Sequence, residues 1–223
     1  MKKLNNYIRL CLMALACCVL FSSCFDLVEE IDLKANGAGT IKATLNMSKS
    51  RTKVASIMKL KEVNGIRIPT QASITSEMQT IVKMLRSTPG ISNVQQSLDF
   101  NNYIVTISCS FNSVSALNSF SKTLATHFKS PLGNNNSYQY DSKSRVFTRN
   151  YSHSAALTKE FSRIPTNDQQ LFNAAFYTQI TRFELPVTAQ KNQSAKISNT
   201  GKSVLLKVKA TDMYGKVHYG ETI

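Results

Sequence analysis

Histidine occurs only three times in 223 residues. None of His127, His153 and His218 has a second His or Cys at metal-ligand spacing, so no zinc site is expected. Equally missing are a G-x-S-x-G elbow, the serine acylases' triplet built on S-x-x-K, a Walker loop and a dinucleotide fingerprint. No catalytic residue, metal or cofactor is therefore expected. Charged residues, at 18%, are too few for the net-charge route to disorder, and 42% hydrophobic residues suffice for a core. No apolar run approaches the ~20 residues of a spanning helix. Carboxylates number 13 against 27 Lys plus Arg. Glu29 and Glu30 are adjacent, and neighbours on a strand point to opposite faces, so they cannot serve as a paired acid and base.

What is present is most informative at the start. Lys2, Lys3 and Arg9 form a positive n-region without carboxylates, Leu10 to Phe21 an apolar stretch, and Ser22-Ser23 a small-residue exit before Cys24. This order describes a secretory signal. The run Phe21-Ser22-Ser23-Cys24 resembles a bacterial lipobox, whose cysteine is diacylated and becomes the new N-terminus. Cleavage before Cys17 would leave too short an apolar region. A diacylglycerol and an N-acyl chain together exceed the two-signal requirement for stable anchoring. The sequence thus predicts a signal peptide over 1–23 and an exported domain over 24–223, with an internal boundary, if any, near 129–137.

Cys11, Cys17 and Cys18 leave with the signal, so the exported chain keeps Cys24 and Cys109 and has no internal disulfide to make. Cys109 alternates with Tyr103, Val105, Ile107 and Phe111 and reads as a buried small hydrophobe. The exported chain carries 24 Lys plus Arg against 13 carboxylates, a net +11. Asp26, Glu29, Glu30 and Asp32 crowd the first residues after Cys24. They look like a lipoprotein surface-sorting tag or like the solvent side of an alternating strand.

Period-2 runs on either side of Asn36-Gly37 and Gly39 predict a β-hairpin. A helix is expected after Ser48 or Ser50, with Val54, Ile57 and Met58 turned inward. A second follows from a Thr75 or Ser76 cap to Leu85, ended by Ser87-Thr88-Pro89-Gly90. Strands are expected at 91–98 and 103–111, then a helix from Asn112 or Ser113 through Val114, Leu117, Phe120, Leu124 and Phe128. His127 falls near its end, where a cation suits the carbonyls. Tyr138, Tyr140, Phe147 and Tyr151 suggest an aromatic hairpin. A helix at 168–176, a strand at 180–185 and a hairpin of 193–198 with 203–210 around Asn199-Thr200-Gly201 complete the pattern, before a fraying tail. Short hairpin links dominate over helical crossovers. The expected fold is α+β, an antiparallel sheet with two to four amphipathic helices packed on one face.

The acidic first strand behind Cys24, the Asn36-Gly37-Ala38-Gly39-Thr40 turn and the Leu45-Asn46-Met47-Ser48 exit resemble lipoproteins of Bacteroidetes-type bacteria. More weakly, Thr178 to Pro186 followed by Ser194 to Lys209 resembles the exported domain of mycobacterial LppM-type lipoproteins, although the tryptophan expected near the end is absent. That resemblance implies an α+β domain and contact with lipid or glycolipid, and transfers no functional residue.

Basic residues are the remaining handle: Lys49, Arg51, Lys53, Lys59 and Lys61 around the first helix, and Lys143, Arg145 and Arg149 among the aromatics. An exported lipoprotein meets anionic headgroups and acidic glycans rather than nucleic acid; scattered lysines also simply solvate a basic domain. The expected function is a non-enzymatic lipoprotein of the bacterial envelope, most simply the outer membrane, held through Cys24 and binding an anionic lipid, glycan or partner protein. An exported hydrolase would instead draw on Asp99, Asp141, Glu160, Asp168, Glu184 and Asp212, and an accessory subunit of an outer-membrane assembly would expose a large apolar patch.

Overall fold

The structure, a computed structural model, describes residues 25–63, 66–127, 138–150, 162, 174–209 and 220–222. Strand β1 (Asp26–Leu33) turns through Asn36-Gly37 into β2 (Gly39–Asn46). The turn is closed by Lys34 N–H to Ala38 O at 2.8 Å and Ala38 N–H to Asn36 Oδ1 at 3.0 Å, with Gly37 at φ +83°. Gly39 admits no side chain, since a Cβ there would lie 2.0 Å from the Asp32 carbonyl oxygen. A 3₁₀ turn (Ser48–Ser50), the short helix α1 (Arg51–Ile57) and the two-residue strands β3 (Glu62–Val63) and β4 (Ile66–Arg67) follow.

Helix α2 (Gln71–Arg86) begins earlier than the Thr75 or Ser76 cap that periodicity suggests. Thr70, held extended, accepts the Ser73 N–H at 3.1 Å and supplies the cap. The signal was obscured because Ala72 and Ile74 of the first turn are not buried and the first buried residue is Met78. Helix α2 leads to β5 (Ile91–Asp99), β6 (Ile104–Phe111) and α3 (Val114–His127). A hairpin of β7 (Tyr138–Asp141) and β8 (Val146–Asn150) precedes β9 (Phe176–Phe183), β10 (Ala195–Ile197), β11 (Ser203–Lys209) and β12 (Gly220–Thr222). Of the helix expected over 168–176, residues 168–173 lie outside the described residues, as do 214–219 of the tail and the 129–137 boundary. Ala174 and Ala175 are described and are not helical, and Gly220–Thr222 pair with β8 rather than fray. Phe176 itself opens β9.

The fold is α+β. Seven strands form one sheet in the order β10-β11-β9-β1-β2-β6-β5, and β12-β8-β7 form a second. Every neighbouring pair in the large sheet is antiparallel except β1 with β9, which run parallel along their whole length. One face of the sheet carries Ile31, Leu33, Ile41, Ile107, Cys109 and Phe111. Met78, Ile81, Val82 and Leu85 of α2 and Leu117 and Phe120 of α3 pack on it. The β7–β8 hairpin joins the same core. Tyr138 and Phe147 are fully buried, stacked at 6.1 Å, and Phe147 meets Phe183 edge-on at 6.0 Å.

Helix α1 departs from expectation. None of its residues is buried; Val54, Ile57 and Met58 stay half-buried. Seven residues give too short an apolar stripe to seat on the sheet. Strand β9 also runs 176–183 rather than 180–185, because Gln179 and Thr181 occupy inward positions that periodicity assigns to apolar residues. Both are buried, and Gln179 Nε2 donates to Thr181 Oγ1 at 3.0 Å.

Because Phe147 bridges hairpin and sheet, Phe147→Ala should destabilise the protein by about 3–5 kcal/mol, the range for deleting a buried ring. Phe147→Leu should cost clearly less. Urea unfolding followed by far-ultraviolet circular dichroism measures both.

Candidate functional site

The register places one end of the large sheet around the start of β1. Asp26 faces Asn46, which faces Ile104, and on the other side Asp26 faces Phe176, which faces Lys209. The chain leaves this end from Asn46 into residues 47–63 and returns through 66–70 to start α2. Met47 N–H bonds to Tyr103 O at 3.0 Å and fixes the excursion there. This lobe holds Lys49, Arg51, Lys53, Lys59, Lys61 and Arg67 against a single carboxylate, Glu62. All six cations are exposed. Lys49 differs from the others: its ammonium meets Asp26 Oδ2 at 2.8 Å and ties the lobe to β1. Leu60, between Lys59 and Lys61, is 51% exposed, the most of any large apolar side chain among the described residues. Lys207 and Lys209 add cations at the same end, Lys207 lying 4.4 Å over the Phe176 ring.

The acidic run of β1 is built into the sheet. Glu29 meets Arg149 at 3.3 Å beneath the hairpin, and the Arg149 guanidinium stacks 3.8 Å over Tyr138. On the opposite, open face Arg182 bridges Glu30 at 2.8 Å and Asp32 at 3.3 Å, and Lys42 also pairs with Glu30. Thr40 donates to Asp32 at 3.1 Å. Burial pushes the Glu30 carboxyl up, but hydrogen bonds from Lys42 and Arg182 and their charges outweigh it and hold the group below its usual range. These side chains and Asn93 and Gln95 line a shallow groove of about 290 Å³. Sequence reasoning missed this cluster because its partners lie 12 and 152 residues from Glu30.

A larger groove of about 670 Å³ runs between α2 and the edge strand β5, past Lys83, Arg86 and Gln96. Arg86 reaches the Val94 carbonyl at 3.5 Å, and a bulge between Ser92 and Gln95, with Asn93 at φ +52°, interrupts the strand. Both features guard an open edge against pairing. Among the described residues the hydrolase carboxylates Asp99, Asp141 and Glu184 do not converge. Asp99 closes the β5–β6 turn through Asn101 and Asn102, Asp141 closes the β7–β8 turn through Lys143 and Ser144, and Glu184 accepts the Ala35 N–H at 2.9 Å. Asn102 lowers the Asp99 pKa and Ser144 that of Asp141. Glu160, Asp168 and Asp212 lie outside the described residues, as do Cys24, His153 and His218.

Cys109 is buried, and desolvation pushes its thiol up to about 11, which makes it a poor nucleophile. His127 joins α3 to Glu77 of α2 at 2.6 Å. Among the described residues no group of three or more His, Cys, Asp or Glu is placed to hold a metal ion, and no helix is long and apolar enough to cross a membrane.

No family model and no curated protein matches the chain. Among solved structures it is similar to the folded domain of the Mycobacterium tuberculosis LppM protein, at 13% identity and a TM-score of 0.42, over 91% of this chain and 90% of that one. A likeness at that level supports no statement about shared activity or ligand.

Glu30 supplies a pH test of the open-face cluster. Its lowered folded pKa adds stability that is present above the unfolded value and is lost as the pH falls through the folded one. Glu30→Gln should therefore cost up to about 1 kcal/mol at neutral pH, as for exposed ion pairs. The difference from wild type should close as the pH drops below about 4.3, the ordinary glutamate value. Urea midpoints measured across that range give the result.

Proposed function

We propose that the chain is a non-enzymatic lipoprotein of the bacterial envelope, held in the outer membrane through acylated Cys24. Its α+β domain binds anionic groups through the basic lobe. The observation that carries the reading is the junction between signal and domain. The lipobox-like run ends at Cys24, and β1 begins at Asp26 as the middle strand of the sheet. Cleavage before Cys24 keeps the whole of β1, whereas cleavage a few residues later would cut a strand paired on both sides. The lack of convergence among Asp99, Asp141 and Glu184 gives the hydrolase reading no support, and the guarded β5 edge gives little to an accessory subunit that would pair there.

Two outcomes are expected. Wild type should partition into the detergent phase with a cleaved N-terminus, while Cys24→Ala should accumulate as uncleaved, mislocalised precursor. A Cys24→Ala chain that is processed and sorted normally would remove the anchor.

The basic lobe should also confer salt-sensitive binding. Capture of the detergent-purified chain on beads carrying a phosphorylated glycan or anionic headgroups should weaken steeply between low and physiological salt, because exposed charges are screened over about 8–10 Å. Reversing Lys53, Lys59 and Lys61 to Glu should weaken it further, since each cation near an anionic surface contributes about 1 kcal/mol. Salt-insensitive capture, or none on any anionic surface, would leave these lysines a solvating role.

A further inference from the structure

We propose that the basic lobe is a membrane foot: residues 47–63 and 66–70 lie against the headgroups of the bilayer that holds Cys24, and Leu60 enters the interface between Lys59 and Lys61. The proposal rests on the anchoring argued above and adds an orientation to it.

Reach decides the geometry. Only Phe25 separates Cys24 from β1, and two residues of chain extend at most about 7 Å. The polar layer on each side of a bilayer is about 5–8 Å deep, the difference between the full and hydrocarbon thicknesses halved. An acylated Cys24 therefore places Asp26 in or directly above the headgroups, with no spacer to swing the domain away. Asp26 is not at a flexible margin of the fold; it opens the central strand, so its position fixes that end of the sheet.

The basic lobe is at this end, in contact with the anchor strand through Lys49 to Asp26 and with the start of β6 through Met47 N–H to Tyr103 O. Its chemistry suits the bilayer surface. Arg51, Lys53, Lys59, Lys61 and Arg67 are exposed, Lys59 and Lys61 flank the exposed Leu60 in the chain, and Val54, Ile57 and Met58 are left half-covered by the fold. Cations flanking an apolar side chain are the composition of segments that lie in the interface. The opposite end of the sheet also carries exposed cations, Lys34, Lys202 and, in the β7–β8 turn, Lys143 and Arg145, with the exposed Leu185, but it lies about 24 Å from the anchor end by strand rise, beyond the screening length.

The absence of tryptophan makes the orientation measurable. Two single-tryptophan chains, Leu60→Trp at the foot and Leu185→Trp at the far end, replace exposed side chains and should fold as wild type by circular dichroism. Each full-length chain is expressed, purified in detergent after processing and reconstituted into phosphatidylcholine–phosphatidylglycerol vesicles with or without brominated acyl chains. Leu60→Trp should shift to the blue on reconstitution and lose about half its emission to brominated chains, as a side chain seated in the interface would. Leu185→Trp should keep its emission. Adding Lys59→Glu and Lys61→Glu to the Leu60→Trp chain should reverse most of the quenching while the chain stays with the vesicles. If both tryptophans are quenched alike, or neither is although the chain floats with the vesicles, the foot is refuted and the anchor stands. A chain that fails to float refutes the anchor and the foot together.

Discussion

Pairing of β1 on both flanks is the constraint on which the other elements depend. On one side β1 runs antiparallel to β2, its hairpin partner; on the other it runs parallel to β9, about 150 residues later in sequence. Through β2 it reaches β6, β5 and the two helices that cover them; through β9 it reaches β11 and β10. Without the β1–β9 ladder these are two separate sheets, each with an open edge. Closing a loop of that length is entropically costly and contributes nothing locally, so the ladder depends on both flanking units being formed.

The central position of β1 explains its unusual composition. A strand with neighbours on both sides and a packed inner face ordinarily lacks charge, yet β1 carries four carboxylates. Each is met by a cation from a different element: Lys49 from the 3₁₀ turn, Arg149 from β8, Lys42 from β2 and Arg182 from β9. These pairs do not hold the fold together. Exposed ion pairs contribute about 0–1 kcal/mol each, and the half-buried Glu29–Arg149 pair also costs desolvation. Burial of rings such as Phe147 and Tyr138 contributes more, about 1.5–3 kcal/mol each. The carboxylates instead fix which cation sits where, since removing any partner leaves a charge unmatched.

Local patterns carried their information faithfully in the sequence, and long-range ones did not. The β1–β2 hairpin is legible because Asn36-Gly37 separates two alternating runs. The β10–β11 hairpin is legible because Gly201, at φ +70°, marks its turn. Helix α3 is legible from Val114, Leu117 and Phe120, all buried. The α2 start was hidden because Thr70 caps a first turn whose side chains stay out of the core, the first buried residue being Met78. The β9 bounds were hidden because Gln179 and Thr181 satisfy each other's polar groups inside the core. No period reveals the β1–β9 pairing, since nothing in Val28 or Ile180 says which distant strand completes its ladder. The Glu30–Asp32–Arg182 cluster was illegible for the same reason. The basic lobe was visible as charge, but its position required the register, which alone puts Asn46 and everything after it beside Asp26.

That register also determines how the positive charge is distributed. The cations facing β1 are neutralised in place, so the sheet itself contributes little net field along β1. Part of the excess collects where the chain leaves the ladder. The 47–70 lobe has six cations and one carboxylate of its own, with Asp26 meeting Lys49 and Asp99 near Arg51, and the short α1 has too little apolar surface to seat itself on the core. Such a segment combines an excess of exposed cations with half-covered apolar side chains. An anionic surface beneath it resolves both, because phosphates match the lysines and the interfacial layer covers Leu60 and the half-buried Val54, Ile57 and Met58. The same two deficits at the far end of the sheet would have no such remedy. At that end Glu184 accepts the Ala35 N–H and Tyr140 donates to the Ala35 carbonyl, so hydrogen bonds close the turn beside the exposed Lys34, Lys202 and Leu185.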